Sequence, residues 1–394
     1  MQAILMAGGS STRTHPLTMT RPKPLLKIAN KPIVQHNLEQ IEGIFSEVII
    51  VVGYKQEEIK KSIGNKFGKL RINYVEQKQQ LGTAHAVLQA EKFVKERFLV
   101  MNCDDLYSRK DIKEIIKHKY ALLAKRVDNP QDYAELVIKN NYVVDIVEKP
   151  KTFISDIASI GMYVLDKSIF PIIKGLKRSE RGEYEIPEAI KELSKKEKVF
   201  CCLSQDYWMP VVYSWSILEA TKLLLSRTKR EIKGVVEKNA VIKGNVAIGK
   251  GSIIKSGSYI EGPVIIGENS VVGPNTHIIS STIGDNCEIN HSAEVKNSVV
   301  YDKTKIDGFC YISNSVIGEN CRLNTGTLTA YSRHDHGIIK SVVRGELIET
   351  GRTTLGAVLG DNVQTGINTS IFPGRKIWPN KYTLPGEIIK EDLI

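Results

Sequence analysis

Aliphatic residues recur every six positions through most of the C-terminal part of the chain. The series runs without a break from Ile242 to Ile278, continues with some five-residue steps to Leu323, and returns between Leu359 and Ile377. No face of an α-helix has this period, because an α-helix repeats every ~3.6 residues. The spacing matches the hexapeptide repeat of a parallel β-helix, in which each hexad forms one side of a triangular coil and its aliphatic residue points inward.

The residues that follow the aliphatic positions favour tight corners. Gly and Asn tolerate the positive φ that such corners need. We therefore predict a β-helix domain over residues 231–394, with a non-repeating insertion at 329–357. The corner sequences are Ile-Gly-Glu-Asn at 266–269 and 317–320, Ile-Gly-Asp-Asn at 283–286 and Leu-Gly-Asp-Asn at 359–362.

Short apolar runs alternate with amphipathic stretches in residues 1–230. The runs Ala3–Met6, Val48–Val52 and Phe98–Met101 are apolar throughout, which is typical of strands in a parallel sheet that is covered on both faces. The strand–helix–strand alternation predicts an α/β domain with a doubly wound, mostly parallel sheet. Ligands of such sheets bind at the carboxyl ends of the strands.

Three of the predicted helices matter for the organisation of the chain. One begins near Pro32, and another follows Gly82. The third, over residues 214–230, connects the two predicted domains. In it Ser216 and Glu219 have the spacing of a capping box, whose two side chains satisfy free N–H groups at the start of a helix.

Composition narrows the class of protein. Hydrophobic residues make up 42% and charged residues 25% of the chain, as in ordinary globular proteins, and no apolar stretch is long enough to span a membrane. The net charge of +11 accompanies no nucleic-acid-binding motif, so it indicates a solvated basic surface or attraction of phosphorylated small substrates. The six cysteines show no CxxC spacing and no secretory signal precedes them, which predicts reduced thiols in the cytoplasm.

The loop after the first predicted strand carries the residues with the clearest chemistry. Gly8 and Gly9 follow the strand directly, and Arg13 and Lys23 come next. Glycines let the backbone approach a ligand, and the N–H groups of such a turn can face phosphate. The two cations would add positive charge beside it. The GxxxxGK[ST] pattern of a Walker A loop is absent.

Together with the segments Pro22–Leu25 and Lys31–Ile33, this loop resembles the signature of sugar-1-phosphate nucleotidylyltransferases, roughly AGGxGTRLxPLTxxxPKPLxxxxxKPI. The resemblance covers almost the whole chain. It extends to bifunctional enzymes, their archaeal forms above all, in which the nucleotidylyltransferase domain precedes a left-handed β-helix with acetyltransferase activity. The β-helix predicted here is accordingly expected to be left-handed.

The resemblance also implies roles for residues outside the loop. Gln77, followed by Gly82 and Thr83, matches the nucleobase-reading segment of the family. Glu148 and Lys149 match its sugar-phosphate site. These five residues are therefore expected to bind the two substrates, a nucleoside triphosphate and a sugar 1-phosphate.

The implied reaction is attack of a sugar 1-phosphate on the α-phosphorus of UTP or dTTP, with pyrophosphate leaving. Such chemistry needs positioning and charge neutralisation more than covalent catalysis. Gly8 and Gly9 would contact the nucleotide, Arg13 would stabilise the leaving pyrophosphate, and Lys23 would neutralise the phosphoryl groups. Asp104, at the end of a predicted strand, matches the family's ligand for Mg²⁺, the expected cofactor.

The chain departs from the family pattern in the first domain. Ser11 replaces a signature glycine, Ala134 stands where Tyr-Gly is usual, and Ser159 replaces an Asn. Pro210 stands where the family has the Asp that is its second metal ligand. Asp206 is four residues from that position, a distance of about 13 Å along a strand, and cannot replace it without a local rearrangement. Turnover is therefore expected to be slow or absent.

The second domain departs as well. The family's acetyltransferase base is a His, and Gly308 occupies its position, although the nearby Tyr311 is retained. Tyr331 replaces a family Asn, and Gly337 stands where a Lys is usual, while Lys340 matches a second family Lys. Because a general base must reach the amine it deprotonates, the acetyltransferase activity is expected to be lost.

Three hypotheses follow. The chain is an active nucleotidylyltransferase, or a non-catalytic sugar-nucleotide-binding subunit that regulates or scaffolds an active homologue, or a bifunctional enzyme that also acetylates glucosamine 1-phosphate. The resemblance of the β-helix to domains that pack as trimers predicts a homotrimer or a higher homo-oligomer, with a hetero-oligomer under the second hypothesis. Nucleic acid and membrane are not expected as partners.

Overall fold

The computed structural model describes all 394 residues of the chain. Contacts between residues divide them into two compact units. The first unit comprises Met1–Ser10, Pro22–Leu25 and Ile33–Pro210, and the second comprises Ser11–Arg21, Leu26–Pro32 and Val211–Ile394.

The two units and the two predicted domains have different borders. The first strand of the C-terminal solenoid is Glu231–Ile232, next to the predicted border at residue 230. The contacts between residues place the border at Pro210 instead. The connecting helix, Ser216–Leu225, therefore belongs to the second unit. The solenoid unit also includes Ser11–Arg21, a segment of the signature loop.

The first unit is built on one mixed sheet of ten strands. Four neighbouring strands run parallel and contain the three apolar runs predicted from the sequence. The order across the sheet is Ala134–Lys139, Tyr142–Glu148, Phe200–Leu203, Ala121–Arg126, Ile157–Leu165, Phe98–Asn102, Gln2–Ala7, Glu47–Val52, Leu70–Glu76 and Lys66–Phe67.

Both faces of this sheet are covered, as the apolar runs predicted. Successive residues of the first strand enter different cores, since Ile4 packs in one hydrophobic cluster and Leu5 in the other. A separate two-stranded sheet pairs Asp105–Tyr107 with Trp208–Pro210. The α-helices of the unit are Ile33–Ile41, Gln56–Ile63, Thr83–Gln89, Arg109–Ile115, Ile169–Gly175 and Ile186–Ser194, and its 3₁₀ helices are Lys23–Leu25 and Pro130–Asp132.

The second unit is a parallel β-helix, in agreement with the predicted left-handed solenoid. Its strands form three stacked sheets of eight, seven and eight parallel strands. The first sheet contains Glu231–Ile232, Val246–Ile248, Val264–Ile266, Thr282–Ile283, Val299–Val300, Val316–Ile317, Val358–Leu359 and Lys376–Ile377. The second contains Val235–Val236, Ile253–Ile254, Val271–Val272, Glu288–Ile289, Lys305–Ile306, Arg322–Leu323 and Gln364–Thr365. The third contains Val241–Lys243, Tyr259–Glu261, His277–Ile279, Glu294–Lys296, Tyr311–Ser313, Leu328–Thr329, Ser370–Ile371 and Ile388–Ile389.

The hexad residues form the core of the solenoid, as predicted. Ile254, Ile278 and Ile306 are among those that are completely buried. The corner asparagines have the expected left-handed backbone, with φ of 53° at Asn269 and 61° at Asn362. The interrupting insertion forms an antiparallel hairpin, and the remaining short elements of the unit are Thr12–Thr14, Leu17–Met19, Lys27–Ile28 and Lys31–Pro32.

The predicted capping box is wrong. The connecting helix begins at Ser216 with Trp215 at the N-cap, and no side chain caps it. The Ser216 hydroxyl accepts a hydrogen bond from the backbone N–H of Tyr213 at 3.1 Å, outside the helix. Glu219 forms an ion pair with Arg352 instead of turning back to the helix start. None of the helices in the structure has the length and apolar character that crossing a bilayer requires.

Candidate active site

The predicted nucleotide-binding residues of the first unit follow the carboxyl ends of its four parallel strands. Met6 lies opposite Asn102, and Ala7 lies opposite Val52. This register brings the residues after each strand to one edge of the sheet. Those residues are Gly8, Gly53, Gln77 and Asp104.

Gly8 and Gly53 pack closely against each other at this edge. A Cβ atom at Gly8 would lie 2.9 Å from the Gln77 side-chain oxygen, and one at Gly53 would lie 2.6 Å from the Gly8 carbonyl oxygen. The Gly8 carbonyl also accepts a hydrogen bond from the N–H of Tyr54 at 3.1 Å. Gly9, the next residue, is exposed. The two predicted glycines therefore differ: Gly8 lets strands pack, and Gly9 leaves backbone accessible.

Gln77 is almost fully buried and its amide is held in place by neighbours. The side-chain NH₂ group donates to the Gly82 carbonyl at 3.1 Å and lies 3.1 Å from Nδ1 of His85. Burial lowers the pKa of His85, so its ring is neutral near pH 7 and can accept this hydrogen bond. His85 was not singled out in the sequence, where a lone His after Gly82 carries no motif.

The turn at Gly82 and Thr83 is supported by the segment around Tyr184. Gly82 has φ of +106°, and a Cβ there would lie 2.4 Å from the Tyr184 carbonyl oxygen. The Thr83 hydroxyl accepts the N–H of Ile186 at 3.0 Å. These contacts bring the predicted nucleobase segment against residues 182–185, whose sequence is Gly-Glu-Tyr-Glu, and the backbone at Gly82 excludes other residues.

Lys23 and Asp104 meet at the same edge. The Lys23 ammonium lies 2.8 Å from the Asp104 carboxylate. The lysine side chain is only 7% exposed, whereas the aspartate side chain is 40% exposed. The cation is therefore held in the protein by a carboxylate that faces solvent, and two predicted catalytic residues are in direct contact.

The protein offers one accessible carboxylate for a metal ion at this edge. Asp105 is buried, and one of its side-chain oxygens accepts the indole N–H of Trp208 at 3.2 Å. Pro210 lies directly opposite Asp105 in the two-stranded sheet, at the end of its strand as its missing N–H predicts. No group of three or more His, Cys, Asp or Glu residues could hold a metal ion.

This arrangement fits a metal ion that arrives with phosphate. Mg²⁺ dehydrates reluctantly and is commonly held by one or two carboxylates together with substrate phosphates. Asp104 meets that minimum, whereas a cage made only of protein ligands is absent.

Glu148 lies in a cluster of charges at the end of the strand Tyr142–Glu148. The guanidinium of Arg181 is 3.2 Å from Glu148 and 3.0 Å from Glu185. Burial raises the pKa of Glu148, and the negative charge of Glu185 adds to this effect. Lys149 follows with φ of +45°. Arg181 was missed in the sequence, although it directly precedes the Gly-Glu-Tyr-Glu segment.

Two departures from the family pattern flank this cluster. Ala134 is the strand partner of Glu148 and also pairs with Ser159. The Ser159 hydroxyl donates to the Tyr163 hydroxyl at 3.1 Å. The substitutions at 134 and 159 therefore lie beside the predicted sugar-phosphate residue Glu148.

Arg13 belongs to the second unit, in the short helix Thr12–Thr14, and its side chain is exposed. Ser11, which replaces a signature glycine, has φ of +50°, a conformation that favours glycine. Its carbonyl accepts the hydroxyls of Thr14 and Thr18 at 2.7 and 2.9 Å. These contacts hold the strained turn closed, and the pyrophosphate-binding role of Arg13 stays a prediction.

The solenoid has no side chain at the position of the family's acetyltransferase base. A Cβ atom at Gly308 would lie 2.6 Å from the ring of His291, one coil earlier. The ring of Tyr331, which replaces a family Asn, is 6.4 Å from that of Tyr311. A histidine at 308 would therefore require His291 to move.

Comparison with known proteins agrees with this geometry. Residues 2–227 match the family "Nucleotidyl transferase", and residues 260–391 match the "GMPPB C-terminal domain" family. The whole chain is 40% identical to "Bifunctional protein GlmU" of Methanocaldococcus jannaschii, over 96% of that protein. It is 32% identical to the glucose-1-phosphate thymidylyltransferase of Streptomyces antibioticus, over 85% of this chain and 96% of the relative.

A solved structure shares the fold of the first part of the chain. UDP-glucose pyrophosphorylase complexed with UDP-glucose superposes with a TM-score of 0.51 at 25% identity, over 57% of this chain and 98% of that one. These proteins are sugar-1-phosphate nucleotidyltransferases or their bifunctional relatives. The chain belongs to the sugar-1-phosphate nucleotidyltransferase family, and the resemblance seen in its signature is confirmed.

We predict that Lys23→Ala weakens nucleotide binding while the fold is kept. A charge-assisted contact to phosphate is worth about 1.5–3 kcal/mol, or ~10–100-fold in affinity. The substitution leaves Asp104 near solvent, so no buried charge is stranded. Titration calorimetry with nucleoside triphosphate measures the effect. Lys195→Ala, which removes an exposed surface lysine, is the control, and equal affinities in the two variants would contradict the assignment.

Proposed function

We propose that the chain transfers a nucleotidyl group from UTP or dTTP to a sugar 1-phosphate. The observation that carries the proposal is the contact of Lys23 with Asp104 at the strand edge that also bears Gly8 and Gln77. A sugar-phosphate oxygen forms the new bond to the α-phosphorus, the bond between the α- and β-phosphates breaks, and pyrophosphate leaves.

The residues divide this work by charge. Lys23 neutralises the phosphoryl groups, and Arg13 stabilises the departing pyrophosphate. Mg²⁺ held by Asp104 and by substrate phosphates would supply further neutralisation of charge. Lys149 holds the phosphate of the sugar, and Glu148, whose pKa is raised by burial, retains a proton to higher pH than an ordinary carboxyl.

The nucleotide is proposed to be bound by Gly9 and by the Gln77 segment. The buried amide of Gln77 and the turn at Gly82 and Thr83 form a surface at the strand edge for a base. The relatives suggest two bases, because the names of the matching proteins include a thymidylyltransferase and a UDP-glucose pyrophosphorylase. UTP and dTTP are therefore the two nucleotides to compare.

We propose further that acetyl transfer is lost. Gly308 offers no general base, and Tyr331 replaces a residue type that the resembling enzymes use. Incubation with acetyl-CoA and glucosamine 1-phosphate tests this, since acetyl-CoA consumption would favour the bifunctional hypothesis.

The six free, buried cysteines accord with reduced thiols and the proposed cytoplasmic location.

One observation favours a different function. Pro210 supplies no carboxylate opposite Asp105, so Asp104 remains the one accessible acidic residue of the predicted metal site. A chain that binds nucleotide sugar without turnover would act as a regulatory or scaffolding subunit of an active homologue. This second candidate differs from the first in one measurable property, pyrophosphate release.

We predict that the purified chain releases pyrophosphate from UTP or dTTP when it is given Mg²⁺ and a sugar 1-phosphate. A coupled pyrophosphate assay over a panel of sugar phosphates measures the rate. Asp104→Ala should lower that rate by about 10²–10³-fold, because it removes a preorganised electrostatic partner of the transition state. Glu197→Ala removes a solvent-exposed carboxylate, paired with Lys119 at the opposite edge of the sheet, and should change little. Nucleotide binding with no turnover on any substrate would favour the regulatory function.

The second prediction concerns Pro210. If the missing carboxylate limits turnover, Pro210→Asp should raise the rate by about tenfold or more. Residues directly opposite on antiparallel strands are ~5 Å apart, so an aspartate there would lie close to the Asp104–Asp105 turn. Pro210→Ala removes the proline without adding charge and is the control. An unchanged rate in a folded Pro210→Asp variant that binds nucleotide would shift attention to Ala134 and Ser159.

The third prediction concerns assembly as a homotrimer. The solenoid exposes a set of large apolar side chains that association would cover. Sedimentation should give a trimer at micromolar concentration, and replacement of Ile367 and Leu384 by Glu should give smaller species. Phe153→Glu, on an exposed apolar residue of the first unit, is the control, and a monomeric wild type would contradict the prediction. The exposed apolar residues of the solenoid include Phe309, Ile367, Tyr382, Leu384 and Ile388.

A further inference from the structure

Two segments of the signature loop are bound by the β-helix within the second unit. They are Ser11–Arg21, which carries Arg13, and Leu26–Pro32. Lys23 lies in the short stretch of chain between them, two residues after Arg21 and four residues before Lys27. The contacts that hold these two segments therefore affect the positions of both predicted phosphate-binding cations, Arg13 and Lys23.

The first segment is held by a buried guanidinium. Arg21, which is 13% exposed, forms ion pairs with Asp361 and, at 3.1 Å, with Glu319. Its guanidinium lies 5.4 Å from the centre of the Tyr301 ring. Thr20 adds a hydrogen bond from its hydroxyl to Asp361 at 2.6 Å. A buried guanidinium that moved away from Asp361 would leave an uncompensated charge, which is costly. These contacts therefore favour a single position of the segment.

The second segment, Leu26–Pro32, is held by another carboxylate of the β-helix. The Lys27 ammonium forms an ion pair with Asp302. The Lys27 backbone N–H donates to the Tyr301 hydroxyl at 3.1 Å, and that hydroxyl donates to the Lys27 carbonyl at 3.0 Å. The side-chain amide of Asn30 donates to the Ile283 carbonyl. Tyr301 therefore contacts both segments.

The acidic residues occupy equivalent corners of successive coils. Each lies two residues after a core residue of the first solenoid sheet. Those core residues stack in the order Ile283, Val300, Ile317 and Leu359. The residues are Asp285, Asp302, Glu319 and Asp361. Regular spacing of coils thus presents a column of negative charge to the cations of the loop.

Two aspartates of this column, Asp302 and Asp361, each make two kinds of contact, one with each side-chain oxygen. Oδ1 of Asp302 accepts the N–H of Asp285 at 3.0 Å, and Oδ1 of Asp361 accepts the N–H of Glu319 at 2.8 Å, which ties coil to coil. Oδ2 of Asp302 and of Asp361 contacts the loop segments. Asp285 makes the coil contact, at 2.7 Å to the N–H of Glu268, without contacting a loop cation.

We propose that Arg21 and Lys27, held by Asp361 and Asp302, are positioning residues for nucleotidyl transfer, and that the β-helix serves as the rigid support of the nucleotide-binding loop. The proposal rests on the function proposed above. Consecutive residues of an extended chain span at most ~3.6 Å each, so a displacement of Arg21 is transmitted to Lys23. Misplacement of a substrate-positioning group by about 1 Å can cost ~10²-fold in rate.

The test compares Asp302→Asn and Asp361→Asn with the matched variant Asp285→Asn. Asparagine keeps the oxygen that ties the coils and removes the charge that holds the loop. We expect the first two variants to raise the KM for nucleotide by about tenfold or more, with little change in the KM for sugar phosphate. Asp285→Asn should behave as wild type. Asp361→Asn leaves the buried charge of Arg21 without its main partner and should lower the unfolding temperature, so the variants are compared at a temperature at which all of them are folded. A merely structural role would lower the unfolding temperature without this separation of the two KM values.

Tyr301→Phe is the second variant, since it removes only the hydroxyl that bridges Lys27. It should also raise the KM for nucleotide. Equal kinetics in Asp285→Asn, Asp302→Asn and Asp361→Asn would overturn the inference in an active enzyme. If wild type binds nucleotide without turnover, the proposed activity fails, and nucleotide affinity by calorimetry decides: weaker binding in Asp361→Asn and Asp302→Asn alone supports the inference, and equal binding overturns it. If wild type binds no nucleotide, both proposals fail.

Discussion

The contact between the Lys23 ammonium and the Asp104 carboxylate joins two residues 81 positions apart in the chain. A pair this close to solvent contributes little net stability, because the cost of removing the lysine from water offsets much of the attraction. Its consequence is geometric. A buried cation directed at an accessible carboxylate gives phosphate and metal a common place to bind, and the parallel strands that end there make Gly8 and Gln77 its neighbours.

Long-range regularity made most of the fold predictable from the sequence. A period of six fixes which residue of each hexad is buried, and Ile254 and Ile306 lie in the solenoid core accordingly. The capping box at Ser216 and Glu219 was wrong for the opposite reason. The spacing of two nearby residues does not show which distant residues they contact. Glu219 forms an ion pair with Arg352, which is 133 positions away. Local patterns are reliable only where no distant charge competes for the same side chain.

The candidate site was predictable to the extent that motifs follow strands. Gly8 and Asp104 each come directly after or close to an apolar run, so a parallel sheet brings them together. Gln77 follows the strand Leu70–Glu76, which is not an apolar run, and only the family resemblance predicted it. Arg181 and His85 were missed because their roles arise only from contacts with Glu148 and Gln77. Residues such as these support a site through the side chain that they contact. Because that contact depends on the fold, no sequence motif marks them.

The column of carboxylates gives the β-helix a proposed role that needs no acetyltransferase base at Gly308. That role is to hold the nucleotide-binding loop in place. A β-helix coil is stiff because its inner strands pair with one strand above and one below, so a charge on its corner has a defined position. Asp302 and Asp361 use one oxygen to maintain that stiffness and the other to hold a cation of the loop. The geometry of the loop is therefore coupled to the integrity of the coils that carry these two residues. The constraint that the solenoid places on the loop does not depend on whether the solenoid carries out acetyl transfer.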